Sequence, residues 1–414
     1  MLLTNAKICL QFSQKNILNI TNSIKTMSIA VKTQQTKLVD SDWRWQQKNT
    51  LTSLEQLLDV FPGLSADYYS AITENLKSRR LRITPHILKQ IRRTGDNSAP
   101  LLDDPIWKQL IPLWETEGNT AYSYDGHTEN WEMPHEMVTP IGQHKYDNRI
   151  IVRLSNVCHS YCQFCYESLR TLEKKSSKSL LQPKHWEDTV TYVRNNPAIE
   201  EVVLSGGEPL MHGDGMLEQV LRDLRNINRF LAIRIHTRAL TFNPFRVTAP
   251  LVEIFKRYNL NSIGVHIAHP QEITPEFIAV VKHLQTATPI MFANIPLLRG
   301  INDDTKTMHN LCMRLYSLGI VPHYLYHFMP HSPGSQQFRT SVRKGVDIIA
   351  SLKRIISNLA VPEFVLPHHT GKHTVPLLRE NEEPFFYGID DRGNAFVRYT
   401  NWQGDTIEYP DVIE

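Results

Sequence analysis

Three of the chain's five cysteines fall within eight residues, in the run Cys158-His159-Ser160-Tyr161-Cys162-Gln163-Phe164-Cys165. Three thiolates can each hold one iron of a [4Fe–4S] cluster, which leaves the fourth iron open to a small molecule. A structural zinc would want a fourth Cys or His in tetrahedral array, and His159, adjacent to Cys158, is awkwardly placed to chelate beside it. So few thiols, so clustered, exclude a secreted disulfide framework and point to a metal site in a reducing compartment. Cys9 lies in a doubtful N-terminal stretch. Cys312 shares a helical face with Met308, Leu311 and Leu315, the mark of a core residue.

Two further segments could do chemistry. Ser205-Gly206-Gly207-Glu208-Pro209 closes a short apolar run. Its glycines let the backbone approach a ligand closely, and Glu208 can accept from an ammonium group. Thr370-Gly371-Lys372 follows Val365–Pro367; a lysine in a polar loop is by itself only a solvated charge.

These residues need a frame, and the chain supplies a regular one from Arg149 onward. Apolar runs at 150–154, 202–204, 232–235, 263–267, 290–298 and 324–328 alternate with sets such as Leu217/Val220/Leu221/Leu224 and Ile348/Ile349/Leu352/Ile355/Ile356. Those sets follow i, i+3, i+4, i+7 spacing and line one face of a helix. Six strand–helix units in sequence imply an α/β fold with a parallel sheet covered by helices. Right-handed crossovers curl it into a partial (β/α)6 barrel with a lateral opening. Barrel chemistry sits at the C-terminal ends of strands, which is where the cysteine run and Gly206–Glu208 stand.

The expected plan is an extension over 1–39, a helical and wrapping segment over 40–143, the barrel over 144–360, and a C-terminal segment over 361–414. That last segment carries Lys372 and a small β-appendage from runs at 385–389, 395–399 and 406–409. Ser53 and Gln56 form a capping box ahead of Leu54, Leu57, Leu58 and Phe61; residues 98–143 read as a polar linker. Met1 to Val39 holds five lysines, no acid and no arginine. That fits a disordered extension, or a true start at Met27, better than a transit peptide. A net charge of +3 is too small to imply nucleic acid or an anionic membrane. No apolar run approaches the roughly 20 residues of a membrane span, so the expected location is cytoplasmic.

Cys-x3-Cys-x2-Cys behind a strand resembles the signature of the radical S-adenosylmethionine (SAM) superfamily. The resemblance implies that SAM chelates the open iron and is cleaved by the reduced cluster to a 5′-deoxyadenosyl radical. It implies SAM contacts from Gly206, Gly207 and Glu208, from Thr237 and Arg238 after the third strand, and from His266 and His269 after the fourth. A narrower likeness comes from Asp42–Asn49, Arg82–Pro85, His144–Tyr146, His266–Pro270 with Glu272–Thr274, Leu297–Asn302 and Phe338–Thr340. All resemble lysine 2,3-aminomutases, in which SAM acts with pyridoxal phosphate (PLP) to move an amino group between neighbouring carbons. On that likeness Lys372 is the catalytic lysine that anchors PLP, Lys145 and Arg149 grip its phosphate, and Asn294 is a polar neighbour. A reductant such as flavodoxin or ferredoxin and an amino-acid substrate are the implied partners.

The pattern also breaks. Glu167 stands where lysine-specific members carry an arginine for the substrate carboxylate, and Met329 and Val365 replace two aspartates for the distal ammonium. Arg170 is the candidate replacement clamp, and His331, His368 and His369 are candidates to line the altered pocket. Asp304 replaces an early zinc cysteine and the cysteine-rich tail is missing, so any homo-oligomer is expected without zinc bridging. The expected function is a PLP- and SAM-dependent aminomutase of an amino acid other than free lysine. The competing readings are a PLP-independent radical SAM enzyme and a non-enzymatic iron–sulfur protein.

Overall fold

Alternating apolar residues set the architecture. Ile150, Val152 and Leu154 of β2 (Arg149–Ser155) enter one hydrophobic core. So do Val202 and Leu204 of β3 (Glu201–Gly206), and Ile233 and Ile235 of β4 (Ala232–Thr237). The pattern continues with Ile263 and Val265 of β5 (Ser262–His266) and with Met291, Ala293 and Ile295 of β6 (Ile290–Pro296). Leu325 of β7 (Val321–Tyr326) and Phe364 and Leu366 of β8 (Glu363–His368) complete it. The apolar stripes of the crossover helices, among them Pro183–Asn195, Asp214–Ile227, Pro275–Leu284, Thr305–Ser317 and Val342–Ile355, fill the same core. Each such Leu, Ile or Val contributes about 1.5–3 kcal/mol by leaving water. Because strand side chains alternate between faces, the residues between these apolar ones point into the barrel.

This computed structural model describes residues 40–113, 133–167, 171, 182–330, 332, 334–375, 385–401 and 403–413. β2 to β8 run parallel in sequence order. The strand β1 (Gly142–Tyr146) pairs antiparallel with β2 at one edge, and β9 (Gly371–Thr374) antiparallel with β8 at the other. The sheet thus holds a seventh parallel strand and a hairpin beyond the six expected units, running across the boundary placed at residue 360. Pro367 lies past the last β7 partner of β8, at Val365, so its missing N–H breaks no bond of that ladder. Side chains link the two edges. Lys145 Nζ on β1 donates to the His369 carbonyl, and the Lys372 N–H donates to the Tyr146 hydroxyl at 3.2 Å.

The described residues fall into two compact units, 40–48 and 49–413. In the first, the helix Trp43–Lys48 has its Trp45 N–H held by the Asp42 carboxylate. In the second, the Ser53–Gln56 capping box forms as expected, and Leu54, Leu57, Phe61, Ile72 and Trp107 build a second core. The stretch expected as a linker contains a buried helix, Pro105–Leu110. The Asp104 carboxylate accepts from Ile106 and Trp107 N–H, and Trp107 packs edge-on against Phe61. Three strands, Phe386–Ile389, Ala395–Thr400 and Thr406–Pro410, form the antiparallel C-terminal appendage. Cys312 is fully buried in the main core. No described helix is long and apolar enough to cross a membrane.

Candidate active site

β2 leads directly into the cysteine loop, and the N-terminal segment ties that loop from outside. Tyr161 N–H donates to the Arg82 carbonyl at 2.9 Å, Gln163 N–H to the Gln109 carbonyl at 2.8 Å, and Thr84 N–H to the Ser160 hydroxyl at 2.9 Å. Burial pushes the Cys158, Cys162 and Cys165 thiols up, Cys165 to about 12, and neighbouring cysteines raise Cys158 and Cys165 further. Bound iron reverses that balance, because a coordinating thiol is deprotonated outright. Among the described residues no three His, Cys, Asp or Glu side chains converge as a single ion requires. A cluster makes no such demand, since each thiolate holds its own iron. His159 is turned away: its Nδ1 lies 3.3 Å from Asn243 Nδ2, and burial holds the ring down at about 3, neutral.

Arg238 is the cation nearest the thiols. Its Nη1 donates to Cys162 Sγ at 3.1 Å, and its Nη2 to Gln109 Oε1 at 2.6 Å and Glu272 Oε2 at 2.9 Å. The guanidinium also lies over the Phe164 and Phe242 rings, 5.1 and 4.6 Å from their centroids. The other oxygen of Glu272 accepts from Ala268 and His269 N–H at 3.0 and 2.9 Å. Arg238, expected as a SAM contact, is thus held against Cys162 Sγ.

The Gly206–Glu208 turn is shaped by the same loop. Gly206 has φ +113°, and a Cβ there would meet the Ser155 carbonyl oxygen at 2.7 Å; one on Gly207 would meet Val157 N and O at 2.8 Å. The glycines thus let the end of β3 press against the entry to the cysteine loop, with Glu208 N–H donating to the Val157 carbonyl at 2.9 Å. The buried Glu208 carboxylate accepts from Thr237 Oγ1 at 2.7 Å, Arg238 N–H at 2.8 Å and Leu210 N–H at 3.0 Å. Three protein donors engage it. Thr237 Oγ1, which also accepts from Ala239 N–H, is part of the same lock.

Inside the barrel the inward positions are polar and aromatic. Lys372 reaches in from β9, its Nζ 4.9 and 5.4 Å from the ring centroids of Tyr324 and Tyr326 on β7. Burial, then Arg234 and Arg149, bring its ammonium down from 10.5 to about 7, against smaller opposing effects of Glu201 and Glu363. Arg234 pairs with Glu201 at 2.8 Å, and Arg149 lies 4.3 Å above the Tyr146 ring. His236 and His266 meet edge to face at 5.3 Å; burial keeps both neutral, His266 at about 4. Asn294 Oδ1, His236 Nε2 and Arg234 Nε are buried with no hydrogen-bond partner. Three orphaned polar atoms around one buried lysine are what a polar ligand would satisfy.

A glycine-assisted cysteine triplet at the mouth of a parallel barrel, with a neutralised lysine inside it, matches known proteins in sequence. Residues 152–312 match the model of the radical SAM superfamily. The L-lysine 2,3-aminomutase of Fusobacterium nucleatum is 32% identical over 89% of this chain and 84% of its own. That of Clostridium subterminale is 31% identical over 82% and 78%. The chain belongs to the lysine 2,3-aminomutase family. It is a radical SAM enzyme of the isomerase class, and that superfamily's [4Fe–4S] cluster and SAM suit the triplet. The Glutamate 2,3-aminomutase of Clostridioides difficile is 27% identical over 90% of the chain and 84% of its own, so relatives with different substrates match at similar levels.

The remaining expected site residues have the following surroundings. Lys145 is drawn into the barrel seam, where its ammonium donates to the Glu136 carboxylate and the His369 carbonyl. An ammonium buried to that degree needs such partners. His269 caps the short helix after β5, its Nδ1 accepting from Gln271 N–H at 3.1 Å, and has no part in the cluster of interior side chains around Lys372. The Glu167 carboxylate is buried against Arg153 at 2.9 Å, whose Nη2 donates to Gln143 Oε1 at 2.8 Å. Val365 is a buried inward residue of β8 paired with Tyr326, and Met329 follows β7. His368 and His369 pack together at 4.1 Å beside the seam. Arg170 and His331 lie outside the described residues. Arg153, Arg234, His236, Tyr324 and Tyr326 were not singled out from sequence, although the strand alternation already placed them opposite the core.

Proposed function

We propose that the chain is a PLP- and SAM-dependent aminomutase that shifts an amino group between neighbouring carbons of an amino acid other than free lysine. Lys372 carries the reading: a barrel-interior amine half neutral near pH 7, flanked by two tyrosines, two arginines and unsatisfied polar atoms. Bound together, the cluster, SAM and PLP supply a one-electron route to a carbon radical and a π-system able to delocalise it. The protein's part is to hold and shield.

Cys158, Cys162 and Cys165 would ligate iron, with Arg238 fixed against Cys162. The backbone of Gly206–Glu208 and the neutral His266 would contact SAM. Lys372 would anchor PLP through its neutral amine and yield to the substrate amine. Arg149 and Arg234 offer planar forks to a phosphate. Asn294 Oδ1 can accept a hydrogen bond, and His236 Nε2 can donate or accept one according to its tautomer. The aromatic wall of Tyr324, Tyr326 and Phe292 excludes water, which protects a radical from side reactions.

Substrate selection follows from the same residues. Glu167 supplies no carboxylate clamp and is neutralised by Arg153. Met329 and Val365 give a distal ammonium no acid, and burying an unpaired ammonium there would cost several kcal/mol. The distal group is therefore neutral or apolar, with Arg170 as the candidate carboxylate partner. Anaerobically reconstituted protein, given a panel of amino acids and followed by NMR and mass spectrometry, should yield a β-amino isomer from an aliphatic or aromatic member. SAM cleavage without PLP uptake and without any amino-acid isomer would rule the reading out.

A further inference from the structure

The helix Pro105–Leu110 precedes the barrel in sequence, yet one of its side chains reaches the surroundings of the cysteine loop. Gln109 is 1% exposed. Its Oε1 accepts from Arg238 Nη2 at 2.6 Å, and its Nε2 donates to Glu272 Oε1 at 3.2 Å. Arg238 in turn donates from Nη1 to Cys162 Sγ at 3.1 Å and from Nη2 to Glu272 Oε2 at 2.9 Å. Only a group with an acceptor and a donor suits this place. A carboxylate would face Glu272 and an ammonium would face Arg238, and the same two neighbours fix which end of the amide is which. The main chain adds to the hold. The Gln109 carbonyl accepts from Gln163 N–H at 2.8 Å, and the Leu110 carbonyl from Gln163 Nε2 at 3.3 Å. At the start of the helix the capping Asp104 carboxylate accepts from Gln271 Nε2 at 2.9 Å, beside Glu272. The helix is thus fastened both to the cysteine loop and to the turn that carries the partner of Arg238.

We infer that Gln109 is a positioning residue for the cluster: by holding Arg238 Nη2 it aims Nη1 at Cys162 Sγ, and so sets how readily the cluster accepts an electron. The inference rests on the cluster reading above. Reduction adds one negative charge to the cluster and its sulfurs. A cationic N–H donor at a ligand sulfur stabilises the reduced form more than the oxidised one, and cluster potentials follow net charge and hydrogen bonds to sulfur. With Gln109 in place, Nη2 is held from two sides and the planar guanidinium has one orientation. Without the Gln109 oxygen, Nη2 keeps Glu272 alone, the group can pivot about that one bond, and Nη1 leaves the sulfur for part of the time. A residue of the N-terminal segment therefore tunes chemistry that takes place at the barrel mouth.

The test uses two substitutions that remove the acceptor in different ways. Gln109→Met keeps the length of the side chain and loses both polar ends, and Gln109→Asn keeps the amide on a chain too short to reach. Both are compared, as reconstituted protein, with wild type, with Arg238→Gln and with a variant combining Gln109→Met and Arg238→Gln. Iron content is measured first. The cluster midpoint is then read by EPR in a mediated titration with dithionite as the electron source, with no SAM, PLP or substrate present. Each Gln109 variant should hold as much iron as wild type and accept its electron about threefold to tenfold less favourably, a tenfold change being about 59 mV for one electron. In the combined variant the Gln109 change should add nothing to the shift of Arg238→Gln, because it acts only through that guanidinium. Unchanged midpoints in both Gln109 variants, or a shift of full size that persists once Arg238 is gone, would overturn the role. Loss of iron from both Gln109 variants would overturn it as well, by showing that the residue holds the loop together rather than tuning it. Wild-type protein that assembles no cluster would instead overturn the reading on which the inference rests.

Discussion

Lys372 is charged in an unfolded chain at any pH below about 10.5 but gives up its proton in the barrel near 7. At pH 7.5 an ordinary lysine is neutral in about one molecule per thousand, whereas Lys372 is neutral in roughly three of four, several hundredfold more free amine. PLP capture by the apo-protein, followed by stopped-flow absorbance from pH 5.5 to 9, should therefore rise with a midpoint near 7. Arg234→Gln removes the second-largest depressing influence and leaves Glu201 without its partner, so the midpoint moves up; Glu363→Gln moves it down. The same gap has a stability consequence. Between about pH 7 and 10.5 the unfolded state binds the proton and the folded state does not, so stability rises with pH there. Below about 7 the full penalty stands, about 5 kcal/mol at about 1.4 kcal/mol per tenfold. Lys372→Met should thus stabilise the apo-protein by a few kcal/mol at neutral or lower pH, the difference fading as pH approaches 10. A capture midpoint above pH 9, or a Lys372→Met protein no more stable than wild type at pH 7, would refute the argument.

Three other outcomes follow from named contacts. Arg238→Gln removes the cation donating to Cys162 Sγ, so the cluster should become harder to reduce, with a more negative midpoint in an EPR-monitored titration; an unchanged midpoint would disprove the contact's electronic role. Glu167→Ala leaves Arg153 buried without its carboxylate and should lower stability by about 3–5 kcal/mol in denaturant unfolding; a loss under about 1 kcal/mol would show the pair to be solvated. Arg170→Ala should raise KM for the best amino acid while leaving SAM cleavage competent; an unchanged KM would remove Arg170 from the site and favour a substrate with a masked carboxyl.

Much of this was legible because it depended on local pattern. The six strand–helix units, the Ser53 cap, the core position of Cys312 and the C-terminal β-appendage each follow from periodicity or short-range hydrogen bonding. β8 escaped because its short apolar run, Phe364–Leu366, is bracketed by Pro362 and Pro367, and it is pairing with β7 and β9 that makes it a strand. The helix at Pro105–Leu110 was hidden in a polar, Trp- and Pro-rich stretch, and the buried Trp107 indole fixes it. Residue type alone did not reveal the protein partners of Lys145, Glu208 and His269. Each has the chemistry of a ligand contact and is also held by protein groups: Lys145 by Glu136 and His369, Glu208 by Thr237, Arg238 and Leu210, His269 by the Gln271 N–H. Arg234, His236, Tyr324 and Tyr326 could have been found, since Arg234 sits between the core residues Ile233 and Ile235, His236 follows Ile235, and the two tyrosines flank Leu325.

The central claim is that Lys372 anchors PLP inside a barrel whose mouth carries the radical-generating cluster. Borohydride reduction of PLP-loaded protein, then proteolysis and peptide mass mapping, tests it most directly. The account predicts a phosphopyridoxyl group on Lys372 and its loss in Lys372→Ala with the iron content intact. The label on Lys145 or another lysine, or no label on a protein that still isomerises its amino acid, would contradict it.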